Sequence, residues 1–259
     1  MESLQGKIVV VTGASRGLGR ALAGTFAAEG CRVAMAGRDQ RALNGTAEEI
    51  AALGGQTLPF ACDVRRREEV EKFAERIMTV WGSAQILINN AGIARAMRFT
   101  DMSDEFWQET LAVNLTGAYH CCKVFLPRMV EAKWGRIINI ASTTAKVGYP
   151  YVSAYTASKH GLLGLTRSLA LETAQLGITV NAICPGYLDD ERTLENARIM
   201  AEKTGKTVDD IIKLFAASAP QNRLIAPAEI AALALLVASE RLGGMTGQAI
   251  NVDGGAVMI

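Results

Sequence analysis

VVVTGASRGLGRALAG, Val9 to Gly24, is a β-branched run that ends in a glycine-rich turn and passes at once into a stretch of helical period. Gly13, Gly17 and Gly19 stand in the pattern G-x-x-x-G-x-G, a spacing different from the G-x-G-x-x-G usually associated with dinucleotides. The physical demand is the same. A strand must turn sharply into a helix, the backbone must leave room for a phosphate, and the first helical N–H groups must face that anion with the positive end of the helix dipole behind them.

Outward from this turn, short apolar runs alternate with longer helical ones. KIVVVTG, RVAMAG, QTLPFACDV, AQILINNAG, GRIINIAS, GITVNAICPG and QAINVDGG read as strands; LGRALAGTFAAEG and REEVEKFAERIMTVWG read as helices between them. This alternation predicts an α/β fold, a Rossmann-type doubly wound parallel sheet of seven strands with helices on both faces. Without a repeat or linker to divide it, the chain is expected to form a single domain over residues 1–259. One stretch, at about 187–220, is inserted between the sixth strand and the helix before the seventh, with KTGKT as a central breaker. Its position on the carboxyl side of a strand predicts a lid over a ligand.

Composition narrows the partners. The net charge of +1 supplies no basic footprint for nucleic acid or an anionic membrane. The apolar run IAALALLVAS stops at Ser239, short of the roughly 18 residues that a spanning helix needs. The amino end, MESLQGKIVVVTG, lacks the basic and apolar regions of a secretory signal, so a cytoplasmic protein is expected. The 5 cysteines have neither C-x-x-C spacing nor the density of a disulfide scaffold and read as reduced core residues. No His/Cys/Asp/Glu cluster has metal-ligand spacing, so no metal is expected. A small-molecule partner remains.

Several further motifs follow the turn in order: NNAG (Asn89 to Gly92), Asn114 in LAVNLTG, Ser142 in INIAS, Tyr155 and Lys159 in YTASK, and Pro185–Gly186. Together with TGASRGLG they resemble the short-chain dehydrogenase/reductase family from about Lys7 to Gly255, with a lean toward 3-oxoacyl reductases and 3-hydroxyacyl dehydrogenases. The chemistry is also legible without the family. Residues four apart on a helix share a face, so Tyr155 and Lys159 can act on one site. A close ammonium is expected to pull the phenol below its usual value near 10, a shift of about three units costing roughly 4 kcal/mol. Tyr155 would then be the general acid in carbonyl reduction and the general base in alcohol oxidation.

The resemblance implies further roles. Ser142, at the end of the fifth strand, would orient the substrate oxygen; Asn114 would shape a water-linked proton path to Lys159; Lys159 would also bridge the nicotinamide ribose hydroxyls. Gly13, Ser15, Arg16, Gly17, Leu18 and Gly19 would cradle the cofactor. Asp63 and Val64 would contact adenine, Asn90, Ala91 and Gly92 would line the cleft, and Pro185 and Gly186 would pass beside the nicotinamide. Arg38 follows the second strand, where a guanidinium suits a 2′-phosphate; NADP is expected over NAD, with Arg16 reaching the same phosphate and Asp39 as the competing reading. One position departs from the family. Asp190 stands where relatives commonly carry a threonine that contacts the carboxamide, so either Thr193 substitutes or the contact is lost.

The expected activity is therefore NADP(H)-dependent hydride transfer between nicotinamide and a carbonyl or secondary alcohol. The alternatives are an NAD-dependent alcohol or hydroxyacid dehydrogenase and a non-catalytic dinucleotide-binding sensor. A serine hydrolase would need a histidine paired with Ser142, and neither His120 nor His160 lies in such a motif. Substrate walls are expected from Ile93 to Met97, Thr143 to Tyr151 and the lid, with Tyr149, Tyr151 and Tyr187 as candidate aromatics. Arg95 and Arg192 are candidates for an anionic group, against which the acidic run Asp189, Asp190, Glu191 argues. The family implies a homotetramer, and GLLGLTRSLALETAQLG has apolar residues on more than one face, as a helix shared between sheet and neighbour requires.

Overall fold

The computed structural model describes residues 4–259. Strand β1 (Ile8–Thr12) leads into helix α1 (Gly17–Ala28), then β2 (Arg32–Gly37), α2 (Gln40–Ala52), β3 (Gln56–Ala61), α3 (Arg67–Val80) and β4 (Ile86–Asn89). The chain continues through α4 (Asp104–Leu111) and α5 (Gly117–Ala132) to β5 (Gly135–Ile140), α6 (Ser153–Thr173) and β6 (Ile178–Pro185). After α7 (Glu191–Thr204) and α8 (Val208–Ala217) come α9 (Pro227–Ala238) and β7 (Ala249–Val252). All seven strands expected from the sequence are present, in one parallel sheet of order β3-β2-β1-β4-β5-β6-β7.

Period-2 alternation builds two cores from each central strand. In β1, Val9 and Val11 face one side, packing with Leu22 and Phe26 of α1 and Ile230 and Ala234 of α9. Ile8 and Val10 face the other, with Phe73 and Ile77 of α3 and Phe125 and Met129 of α5. A strand buried on both faces has no polar face to show, which is why KIVVVTG reads as a continuous apolar run. Each such side chain contributes roughly 1.5–3 kcal/mol when fully buried. Helix α6 places Leu162, Leu163, Thr166 and Ala170 inward while Leu171 stands 83% exposed, so its apolar residues do occupy more than one face.

The strand order reverses between β1 and β4: the chain winds outward to β3, then crosses to begin the other half of the sheet. A crevice opens at such a switch point, beyond the carboxyl ends of the strands. The insertion between β6 and α9 lies at that same end and is a helical pair. Gly205, at φ +70, ends α7, and Thr207 starts α8 with a capping box to Asp210, so KTGKT is the breaker its composition predicts.

Candidate active site

The glycine turn is dictated by contacts that a side chain would destroy. Gly13 has φ +67, and a Cβ there would lie 2.9 Å from the Ala91 Cα; at Gly19 a Cβ would meet the Gly13 carbonyl oxygen at 1.9 Å. The first helical turn of α1 thus presses directly on the turn that precedes it. Thr12 joins this turn to β4: its hydroxyl accepts from the backbone N–H groups of Asn90 and Ala91, both at 3.0 Å. The Asn90 amide nitrogen donates to the carbonyls of Thr12 at 2.9 Å and Gly13 at 3.1 Å, while its Oδ1 is buried with no partner. Thr12 was not singled out in the sequence, although it is the T of the TG dipeptide.

Asn114 lies in a π-helical turn, Ala112–Thr116, between α4 and α5. Wide turns of this kind recur at functional sites. Its amide does not bond its own helix. Oδ1 accepts from the Ile93 N–H at 2.8 Å, and Nδ2 donates to the Ile93 carbonyl at 2.9 Å and to the Ser158 hydroxyl at 3.0 Å. Ser158, fully buried, donates in turn to the Tyr155 carbonyl at 2.7 Å. Asn114 is therefore a clamp between the segment after β4 and helix α6. Ser158, the S of YTASK, is a second residue the sequence reading passed over.

Tyr155 and Lys159 share one face of α6 as their spacing requires, with the Lys159 Nζ 5.7 Å from the Tyr155 ring centroid. Lys159 is 4% exposed and donates to the Ile140 carbonyl at 2.7 Å. A Cβ at Gly92 would stand 3.3 Å from the Asn114 Oδ1 and 3.7 Å from the Lys159 Nζ, so glycine keeps the backbone edge beside the pair clear. Ser142 follows β5 in extended conformation, accepts from the Thr144 N–H at 3.2 Å, and interacts with the Tyr155 hydroxyl. Asn114, Ser142, Tyr155 and Lys159 converge on the carboxyl ends of β4 and β5.

The electrostatic expectation for Tyr155 is corrected by the structure. Burial holds its phenol above the ordinary value, against smaller opposing effects of Arg192 and the Ser142 hydroxyl. Burial, with the Arg192 charge adding to it, takes Lys159 down to about 7. Desolvation penalises whichever form is charged, and it acts on both residues at once. Lys159 consequently does not present the full ammonium that an acidic phenol would need. Near neutral pH Tyr155 is a protonated phenol, the form required to give a proton away.

The remaining expected contacts are distributed unevenly. Arg38 is exposed just beyond β2, whereas Asp39 is engaged as the N-cap of α2, accepting from the Ala42 N–H at 3.0 Å. Arg16 is exposed and paired with Glu195 of α7 at 3.4 Å. Asp63 is held by Arg65 through a forked contact at 2.9 and 2.5 Å, which keeps its carboxyl below the usual range; Val64 is buried, and its carbonyl meets the His120 Nδ1 at 3.0 Å. Pro185 ends β6 opposite Val252 of β7, and Gly186 follows it, packed against Asp253. Ser15 offers its carbonyl to the Thr46 hydroxyl at 3.2 Å, and Leu18 is a buried core residue of α1.

Asp190 caps α7 by accepting from the Thr193 N–H at 3.0 Å, and Thr193 is 8% exposed. Both histidines bond backbone carbonyls, His120 that of Val64 and His160 that of Thr156 in its own helix. All five cysteines are buried and free, with burial pushing the thiols of Cys31, Cys62 and Cys122 up to about 12. Among the described residues there is no cluster suited to a metal ion, and no helix is long and apolar enough to cross a membrane.

A doubly wound sheet with a glycine turn at its switch point and a Ser-Tyr-Lys-Asn cluster at the adjacent strand ends defines a dinucleotide-linked oxidoreductase scaffold. Residues 7–200 match the family model for short chain dehydrogenases, and the chain belongs to that family. It is 37% identical over 257 residues to a D-beta-hydroxybutyrate dehydrogenase of Cupriavidus necator, covering 98% of this chain and 99% of that one. It is 32% identical over 255 residues to a 3-oxoacyl-[acyl-carrier-protein] reductase of Thermotoga maritima, covering 98% and 99%. A variant of actinorhodin polyketide ketoreductase solved with NADPH superposes with a TM-score of 0.94 at 33% identity, over 96% of this chain and 97% of that one.

Proposed function

We propose that this protein is an NADP(H)-dependent reductase of 3-oxoacyl-type carbonyls, working reversibly on the corresponding secondary alcohols, with Tyr155 as general acid and base. The observation that supports it is the convergence of Asn114, Ser142, Tyr155 and Lys159 on one edge of the sheet, beside a glycine turn that opens directly into the N-terminus of α1. The residues present fit a dinucleotide: the glycine turn precedes the first N–H groups of α1, Gly92 keeps the backbone beside Asn114 and Lys159 clear, and the buried Asn90 Oδ1 has no partner of its own. When bound, the nicotinamide supplies or accepts the hydride. The chain's own part is to bind the carbonyl oxygen through Ser142, deliver a proton to it from the Tyr155 hydroxyl, and use Lys159 to hold the ribose and relay the proton. Loss of reduced-nicotinamide absorbance with a panel of 3-oxoacyl thioesters and 3-oxo acids tests the reading; no turnover, with retained dinucleotide binding, would favour the sensor alternative.

Arg38 supports NADP over NAD because it is an exposed guanidinium at the end of β2, while the competing carboxylate, Asp39, is committed to its cap. A charge-assisted hydrogen bond is worth about 1.5–3 kcal/mol. Arg38→Ala is accordingly expected to raise the KM for NADPH by about tenfold to a hundredfold and leave that for NADH within about twofold. Equal effects on both cofactors would remove the 2′-phosphate from the argument.

The substrate reading draws on the other arginines. Arg95 is engaged by Glu109 and lies over the Phe106 ring, so it is not a free cation for substrate. Arg192, in the first turn of α7, is half-buried and exerts the largest charge effect on both Tyr155 and Lys159. The acidic run that seemed to oppose an anion turns elsewhere: Asp190 and Glu191 approach Gly17. A substrate with a carboxylate or carrier phosphate is thus favoured. Arg192→Gln is expected to raise the KM for an anionic 3-oxo acid about tenfold with kcat nearly unchanged, the cost of about 1.4 kcal/mol of binding. A neutral ketone measured alongside should show no such change.

A further inference from the structure

The first turn of α7 rests on the phosphate-binding turn itself. A Cβ on Gly17, which has φ +53, would stand 3.0 Å from the Asp190 Oδ2 and 3.3 Å from the Glu191 Oε2, so two carboxylates lie directly over the start of α1. The Asp190 Oδ2 is buried and has no hydrogen-bond partner; its other oxygen caps α7. Glu191 is paired with Arg20 of α1, and Glu195, one helical turn further on, is paired with Arg16 in the glycine turn. A carboxylate at the positive end of a helix is favourable for the reason a phosphate is.

We infer that Asp190 and Glu191 are a built-in competitor for the anion seat of the glycine turn, so that α7 latches over the cofactor's pyrophosphate position and must swing away before a dinucleotide is held. A cavity of about 630 Å³, lined by Gly17, Arg20, Asp190, Leu194, Ile212 and Pro227, lies beside the latch and contains none of the four catalytic candidates. It gives the helix room to move. Leu188 pairs with Ile225 by a β-bridge, which anchors the chain before Asp189; beyond it α7 packs on α8 through Ala197, Ala201 and Ile211 and meets α1 and the glycine turn through the Glu191–Arg20 and Glu195–Arg16 ion pairs. Those pairs are exposed and weaken in salt. Apparent affinity for the dinucleotide is then reduced by the fraction of molecules that are latched.

This inference rests on the cofactor reading above, and the experiment separates the two. NADPH binding, followed by its fluorescence, is compared in wild type, Asp190→Asn/Glu191→Gln and Glu191→Asp, together with hydrogen exchange of residues 190–204 in protein free of nucleotide. The double variant is expected to bind about five- to thirtyfold more tightly and to exchange faster in α7. Glu191→Asp keeps the charge but withdraws the carboxylate by one methylene, and is expected to bind about twofold or more tightly. A gain confined to the double variant, with exchange unchanged, would reduce the effect to bulk charge and overturn the latch. Should none of the proteins bind NADPH, the cofactor reading fails, and the latch is judged by exchange alone: equal rates in wild type and the double variant overturn it.

Discussion

Replacing Tyr155 with phenylalanine is expected to lower kcat for carbonyl reduction by about a thousandfold or more, with dinucleotide affinity and thermal unfolding nearly unchanged. Phenylalanine fills the same space and removes only the hydroxyl, the group proposed to pass a proton to the substrate oxygen. The direction of its pKa decides how the wild-type rate depends on pH. Burial holds the phenol above the ordinary tyrosine value, so the acid form is present throughout the neutral range and the ionisation of Tyr155 adds no pH dependence to reduction there. Alcohol oxidation needs the phenolate, and its rate should climb as pH rises toward that value. Initial rates in both directions from pH 6 to 10, for wild type and variant, check this. An oxidation rate that is already level at pH 7 would mean that the phenol is acidic in the working enzyme, as the spacing of Tyr155 and Lys159 first suggested.

The second large effect combines lost activity with gained stability. Lys159→Met is expected to reduce kcat by about a hundredfold or more, because the buried relay is gone, and yet to raise the stability of the cofactor-free protein in mild acid. The sign follows from linkage. The lysine's pKa in the folded chain is about 7, against an ordinary value of 10.5, so folding penalises its charge. That penalty is complete below about pH 7 and is relieved as pH rises toward the unfolded value, since the unfolded chain binds the extra proton across that window. Removing a buried charge in favour of an apolar side chain is worth about 1–4 kcal/mol, and the Ile140 carbonyl left without its donor costs about 1–3 kcal/mol in return. Denaturant titrations should therefore show the methionine variant ahead at pH 6, with its advantage shrinking by about 1.4 kcal/mol per pH unit between 7 and 9. An advantage that grows with pH would contradict a neutral buried lysine.

These expectations differ in how far they were visible beforehand. The spacing in YTASK puts Tyr155 and Lys159 on one helical face, and a local repeat is enough to establish that. The acceptor of the Lys159 proton, the Ile140 carbonyl, comes from another strand, and only packing brings it within 2.7 Å. Asn114 was marked by its oddness within a helix, but its partners lie 21 and 44 residues away, beyond any local signal. The acidic run at 189–191 was legible as charge and misleading as direction: whether a carboxylate faces a substrate or the start of α1 depends on how α7 docks.

By itself the amino-acid order determined the seven strands, their parallel winding, the glycine turn and the placing of the candidate groups at strand ends, because periodicity, β-branching and glycine's freedom at positive φ act over a few residues. The tertiary structure alone set the directions in which burial moves the Tyr155 and Lys159 pKa values, the clamp of Asn114 through Ser158, the tie of Thr12 to Asn90 and Ala91, and the approach of Asp190 and Glu191 to Gly17. Desolvation and charge proximity are properties of what surrounds a group in space, and neighbours in space are assembled only when the sheet closes against its helices.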